Sequence, residues 1–194
     1  MNELYEQIKQ YKCYNEQETA DQRLILKYMD LFDNILVRDN EITHMTASSW
    51  IVNKDRTKIL MIYHNIYDSW AWTGGHADGE ADLLSVALRE AREETGIQRI
   101  KPVLTDIYSL EVLCVNGHVK RGNYVSSHLH LNVTYLLEAE DTENIRIKAD
   151  ENSGVRWVEL DDTIDLCSEV WMRGIYRKLN DKLGKIKYTD MGEA

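Results

Sequence analysis

The stretch that most restricts what this chain can become runs from Trp72 to Ile97, WTGGHADGEADLLSVALREAREETGI. Glu90, Glu93 and Glu94 stand at i, i+3 and i+4, so on a helix their carboxylates converge on one flank. Like charges at that spacing repel, and the chain must either leave them in water or bring a cation to them. At about 100° per residue, Leu84, Ala87, Leu88, Ala91 and Thr95 form the apolar stripe of the same helix, with the glutamates beside it. Asp82 suits the N-cap, and Gly96 suits the left-handed position that ends the helix. Ahead of the helix lie a polar turn and the pair Gly74-Gly75. Taken alone, REAREE fits a solvated acidic face, partly offset by Arg89 and Arg92, better than it fits a cation site, because such runs are common on helices.

The rest of the chain supplies a globular setting for this segment. Its 194 residues suggest one domain with an added terminal element. The pattern divides into an N-terminal helical extension, residues 1-40, packed on a core domain, residues 41-194. Leu24, Leu26, Met29, Leu31, Phe32 and Ile35 give the extension an apolar stripe to bury. MTASSWIVN and TKILMIYHN read as strands, IYDSWAWTGG as a loop, and VLTDIYSLEVLCVNG as a strand or strand pair. In SSHLHLNVTYLLEA, Leu129, Leu131, Val133, Tyr135 and Leu137 share one face, and His128, His130, Asn132 and Thr134 share the other. GVRWVEL is a further strand, and one C-terminal helix is expected from Asp161 to Leu183. Strands mixed with helices in this order predict an α/β (α+β) fold with a mixed sheet covered by helices on both faces.

Charge and cysteines narrow the partners. A net charge of -10 disfavours a nucleic-acid polymer, which needs clustered Lys and Arg, but leaves small phosphorylated ligands open if a metal is bound. Cys13, Cys114 and Cys167 are odd in number and far apart, which reads as reduced packing thiols in a cytoplasmic protein. There is no apolar run of membrane-spanning length and no signal-peptide core at the N-terminus, so neither membrane nor export is expected.

Gly75 and the run Arg89, Glu90, Ala91, Glu93, Glu94, Gly96 and Ile97 resemble the signature of the Nudix hydrolase family. That signature reads G-x5-E-x7-R-E, apolar, x-E-E-x-G, apolar. One position departs: the isolated glutamate of the signature falls on Ala81, and Glu80 lies one residue early. The resemblance implies a Nudix-like α/β/α sandwich over roughly residues 44 to 180. It also implies a hydrolase that cleaves the pyrophosphate link of a nucleoside diphosphate joined to another moiety. Mg²⁺, or Mn²⁺, would be held by Glu90, Glu93 and Glu94, because hard cations take oxygen ligands and are shared with substrate phosphates. Arg89 would orient the glutamates through charge-assisted hydrogen bonds. The Gly74 carbonyl is a further candidate ligand, since a glycine pair lets the backbone approach closely. Gly75 and Glu80 are assigned to loop support. A carboxylate in a later loop corresponds here to KADENSGVRW, with Asp150 and Glu151 as candidates.

Other side chains carry two readings each. His128 and His130 share a strand face, a spacing that suits a metal, a substrate phosphate or an internally satisfied pair. His76, directly after the glycine pair, either touches phosphate or only shapes the loop. His44 reads as structural. Trp70 and Trp72 read as buried packing, with ring stacking on a substrate as the rival use. Lys120 and Arg121 offer a basic turn. Several substrate-linked elements of the wider family are absent, among them the SQPWPFPxS element, a coenzyme A motif and a proline after the signature. Two rival functions stand beside the hydrolase. An isopentenyl-diphosphate-isomerase-like enzyme would need a TCCSHP context, for which only Cys114 is on offer. A non-catalytic nucleotide-sensing module would be expected to lose the carboxylates that this chain keeps. The N-terminal helices either cover the sheet, form a homodimer contact or close over the substrate.

Overall fold

The computed structural model describes residues 1-120 and 122-186, with Lys120 described by its backbone alone. Helices α1 (Asn2–Gln10) and α2 (Glu16–Leu31) open the chain, and strands β1 (Thr43–Val52), β2 (Lys58–His64), β3 (Ser69–Ala71) and β4 (Thr73–His76) follow. Helix α3 (Leu83–Thr95) carries the glutamates. After it come β5 (Ile100–Pro102), β6 (Ser109–Val115), β7 (His118–Lys120), β8 (Asn123–Val125), β9 (His128–Ala139) and β10 (Asn152–Glu159). A 3-10 turn at Leu160–Asp162 leads to α4 (Thr163–Leu166) and α5 (Val170–Leu183). The fold is thus α+β, as the alternation of patterns predicts.

The chain divides into two compact units, and β1, β9 and α3 each contribute to both. The first unit takes Met1–Ser48, Gly74–Ala87 and Thr105–Tyr135. Here β4 pairs with β1, β9 is the neighbour of β1, and β6 pairs antiparallel with β9 from Ser109↔Thr134 to Val115↔His128. Helix α2 lies on β6: Gln17 donates to the Leu110 carbonyl at 3.0 Å, and Asp21 accepts from the Val112 amide at 2.9 Å. Glu18 and Glu111 are fully buried yet share Ser109, whose hydroxyl lies 2.8 Å from Glu18. Asn132 and Thr134 extend this network to Glu111, and Thr46 and Ser48 extend it to Asn132. Burial without such partners would cost each carboxylate several kcal/mol, roughly speaking.

The second unit takes Ser49–Thr73, Leu88–Leu104 and the chain from Leu136 onward. Strand β2 lies between β1 and β10 and also pairs with β3, all antiparallel. β5 pairs with the end of β9. Trp50 stacks on Tyr176 of α5 with ring centroids 5.0 Å apart, and Trp72 meets the same ring edge-on at 5.6 Å.

Three expectations need correction. The first forty residues are not helical throughout: α2 stops at Leu31, which is exposed, and the buried Ile35 lies in the turns beyond. The loop IYDSWAWTGG contains β3 and β4, because Ile62, Tyr63 and His64 of β2 offer their free side to Ala71, Trp70 and Ser69. The C-terminal helix is broken between Leu166 and Val170. There the Ser168 amide donates to Ser69 Oγ at 3.0 Å, and Arg173 Nε donates to the Cys167 carbonyl at 2.7 Å, so tertiary bonds replace the helical ones.

Candidate functional site

Helix α3 starts and stops as its sequence requires. The Asp82 carboxylate accepts from the Ser85 amide at 3.1 Å and from the Ser85 hydroxyl at 2.6 Å, the geometry of an N-cap. Gly96 has φ +77°, and a side chain there would collide with Arg146. The loop ahead of the helix is held by Arg38, which grips Asp78 with two hydrogen bonds of 2.8 and 2.7 Å. Glu80 accepts from the Asp82 amide at 2.9 Å, so its carboxylate ties off the turn just before the helix. Gly74 is required by close packing: a Cβ there would lie 2.7 Å from the Ala47 carbonyl oxygen and 2.5 Å from Ser48 Oγ.

In the second unit the glutamates are not alone. Arg89 donates to Glu90 at 3.2 Å. Burial holds the Glu90 carboxyl above its ordinary range, with Arg89 partly opposing this and Glu93 adding to it. Glu94 is only 3% exposed. The Lys148 ammonium reaches Glu93 at 3.2 Å and Glu151 at 3.0 Å. Burial pulls that ammonium down, but its bonds to Glu151 and Glu93 outweigh burial and leave it raised. Asn152 donates to the Glu94 backbone carbonyl at 3.0 Å, fixing the loop that carries Lys148 and Glu151 against the end of the helix. Sequence reasoning named Glu151 but missed Lys148, because a lysine far along the chain gives no local signal of a glutamate partner. Asp150 lies in the turn just ahead of β10. The donor set is all carboxylate oxygen, it carries excess negative charge, and a lysine already supplies a counter-charge. Those are the properties a hard divalent ion selects.

In the first unit the structure gathers imidazoles. His44 on β1, His76 at the end of β4 and His130 on β9 offer ring nitrogens that all lie within 4.8 Å of one another. His128 joins them, its ring 4.9 Å from His44 and 5.0 Å from His130. The sequence singled out His128 and His130 as a pair, and His76 apart from them. His44, read there as structural, is brought to them only by the pairing of β1 with its neighbours. Burial lowers the His44 pKa, and the Asn40 carbonyl partly offsets this. Of the aromatics, Trp72 is buried, and Trp70 stands edge-on to Tyr63 with Arg156 stacked 4.2 Å over its ring. Lys120 lies on β7, while Arg121 is outside the described residues. No described helix is long and apolar enough to cross a membrane.

Comparison with known proteins now bears on the glutamate helix. A model of the NUDIX domain matches residues 43–179. The CMP-5'-(N-acetyl-N-hydroxy-3-aminopropyl)phosphonate hydrolase of Streptomyces rubellomurinus is 29% identical over 126 residues, 62% of this chain and 54% of that protein. The asymmetrical bis(5'-nucleosyl)-tetraphosphatase of Mus musculus is 30% identical over 98 residues, 50% of this chain and 60% of that protein. The chain thus matches less than two thirds of the length of either relative. Among solved structures, a C. elegans Ap4A hydrolase binary complex aligns with TM-score 0.55 and 20% identity, covering 73% of this chain and 98% of that one. A MutT protein of Methanosarcina mazei Go1 aligns with TM-score 0.54 and 16% identity, covering 76% and 99%. At those identities the likeness is one of fold.

Proposed function

The chain belongs to the NUDIX family, and from that premise we propose that it is a divalent-metal-dependent pyrophosphohydrolase acting on a nucleotide-linked phosphoric anhydride. The observation that carries the reading is the carboxylate set of α3, with Glu93 and Glu151 joined through one lysine. We assign Glu90, Glu93 and Glu94 to holding Mg²⁺, with Mn²⁺ as a substitute. A bound ion supplies charge neutralisation on the phosphates and acidifies water. The chain's own residues do the rest. Arg89 keeps Glu90 turned toward the group. Lys148 holds Glu151 beside Glu93 through its two ion pairs and offers a positive charge to a substrate phosphate. Glu151, the carboxylate outside the ligand set, takes the proton from the attacking water as the oxygen bridging the two phosphorus atoms leaves. The relatives named above act on nucleotide compounds, which favours a nucleoside polyphosphate or a nucleotide ester as substrate. Residues 1-40 serve as an extension packed on the 41-194 domain, and α2 closes β6 from one side. The working compartment is the cytoplasm.

The test is a panel of nucleoside triphosphates, dinucleoside polyphosphates, ADP-ribose and nucleotide sugars, incubated with the protein and Mg²⁺ or Mn²⁺. Turnover should require the metal and fall away in Glu94→Gln. Absence of any turnover across the panel, or full activity in the variant, overturns the reading.

A further inference from the structure

We propose that His44, His76 and His130 form a binding site for a borderline divalent transition ion of the Zn²⁺ class, with His128 beside them to complete the shell. This site shares no residue with the glutamates of α3. Three strands build it: β4 pairs with β1, β9 neighbours β1, and His128 and His130 stand two residues apart on one face of β9.

Hydrogen bonding fixes which nitrogens are available. His44 Nδ1 lies 3.0 Å from the Asn40 carbonyl oxygen, which can only accept. Nδ1 therefore carries the hydrogen, and Nε2 of the neutral ring carries a lone pair. That Nε2 is buried and has no hydrogen-bond partner among the described residues. The residue is 4% exposed, so no bulk water compensates it. A buried unsatisfied acceptor costs about 1–3 kcal/mol. His128 repeats the arrangement, with Nδ1 2.8 Å from the Ser126 carbonyl. Its Nε2 lone pair then faces His130 Nε2 at 3.2 Å, a separation that needs a hydrogen or a cation in between. The edge of a tetrahedron of nitrogens around Zn²⁺, with bonds of about 2.0–2.1 Å, is roughly 3.3 Å. A backbone carbonyl on the far ring nitrogen is also the support that metal-binding histidines typically use to set tautomer and orientation.

The donor type decides the ion. Neutral imidazoles suit Zn²⁺, Cu²⁺, Ni²⁺ or Co²⁺ and give Mg²⁺ nothing it prefers. His76, His128 and His130 are half-buried, so an ion has a way in.

The test uses the full chain with any affinity tag removed, stripped with a chelator and loaded separately with Zn²⁺ and Co²⁺. After gel filtration, elemental analysis should find about one equivalent of Zn²⁺, and Co²⁺ should give the intense visible bands of a low-coordinate imidazole site. His76→Ala and His130→Ala should each weaken binding at least about 100-fold. His118→Ala, outside the cluster, should not. Circular dichroism confirms that each variant is folded, and His76 and His130 are tested apart because each lies on a different strand. No retained Zn²⁺ or Co²⁺, or unchanged retention in both folded variants, overturns the site. So does binding of inorganic pyrophosphate to the metal-free cluster without any metal uptake. Binding is read without turnover, so failure of the hydrolase panel leaves this result standing on its own.

Discussion

The molecule carries two clusters of metal-capable side chains, and they are built in opposite ways. On α3 the side chains come from one element, all are carboxylates, and Arg89 and Lys148 offset part of the excess charge. Around His44 the side chains come from three strands, all are imidazoles, and His44 Nε2 has no hydrogen-bond partner among the described residues. The difference teaches what each needs. A carboxylate group must find positive charge and will borrow a lysine until an ion arrives. An imidazole group needs only an electron-pair acceptor, and its metal-free cost is an unsatisfied lone pair rather than repulsion.

The largest expected effect separates the two. Glu90→Gln should lower metal-dependent turnover at least about 100-fold, the scale of losing a group that acts directly on the reaction. The same variant should retain Zn²⁺ at the histidines unchanged. Parallel loss of both in a folded variant would show that the clusters are one site.

Next comes a change that strikes the imidazole cluster through the backbone. Gly74→Ala would set a methyl group against the Ala47 carbonyl and Ser48, and β4 must shift to admit it. Overpacking of this kind costs about 1–3 kcal/mol. Because His76 ends the same strand, chelator-resistant Zn²⁺ should fall together with thermal stability. Wild-type melting temperature and full retention in this variant would show that β4 has room the packing denies it.

Lys148 sharpens the other side of the comparison. If it stands in for an ion, Lys148→Ala removes a competitor for Glu93. Apparent Mg²⁺ affinity should then rise by about two- to five-fold, the scale of one or two part-exposed ion pairs. Isothermal titration of wild type and variant decides this, and weaker Mg²⁺ binding in the variant would mean that the lysine assists the ion instead. Turnover should drop even as the ion binds better, since the same ammonium is assigned to hold Glu151 and meet phosphate.

How much of this was legible in the sequence follows from range. Local signals served well: period-two alternation gave β9, and the Asp82 and Gly96 signals gave the ends of α3. TKILMIYHN was readable because residues 59–63 are a continuous apolar run, and MTASSWIVN because Trp50, Ile51 and Val52 lead into the turn-like KDR. What failed was decided at a distance. Nothing near Ser69 announces that its strand will pair with β2, and nothing in Asp161 to Leu183 announces that Ser69 will capture the Ser168 amide. Likewise Lys148 is informative only once a hydrogen bond holds its loop to the Glu94 carbonyl, and His44 only once β1 is seated beside β4 and β9. The buried Glu18 and Glu111 would be read as surface residues in any composition-based survey. Their burial is explained by partners the fold gathers: Tyr11, the Tyr14 amide and Ser109 donate to Glu18, and Ser109, Asn132 and Thr134 donate to Glu111.

The smallest expected effect concerns the start of α3, which aims the whole carboxylate set. The Ser85 hydroxyl and amide hold the Asp82 carboxyl below its ordinary value of 3.8. A depressed folded pKa means that the ionised form is favoured in the native state. Its contribution is therefore complete above the unfolded value and is lost as pH falls through the lower folded value. Asp82→Ala should cost about 1 kcal/mol at neutral pH. In denaturant titrations repeated at decreasing pH, the gap between wild type and variant should hold down to the ordinary carboxylate range and narrow below it. A gap that persists unchanged in strong acid would mean that Asp82 stabilises the helix start through packing and not through its charge. The carboxylates of α3 would then be positioned without help from an ionised cap.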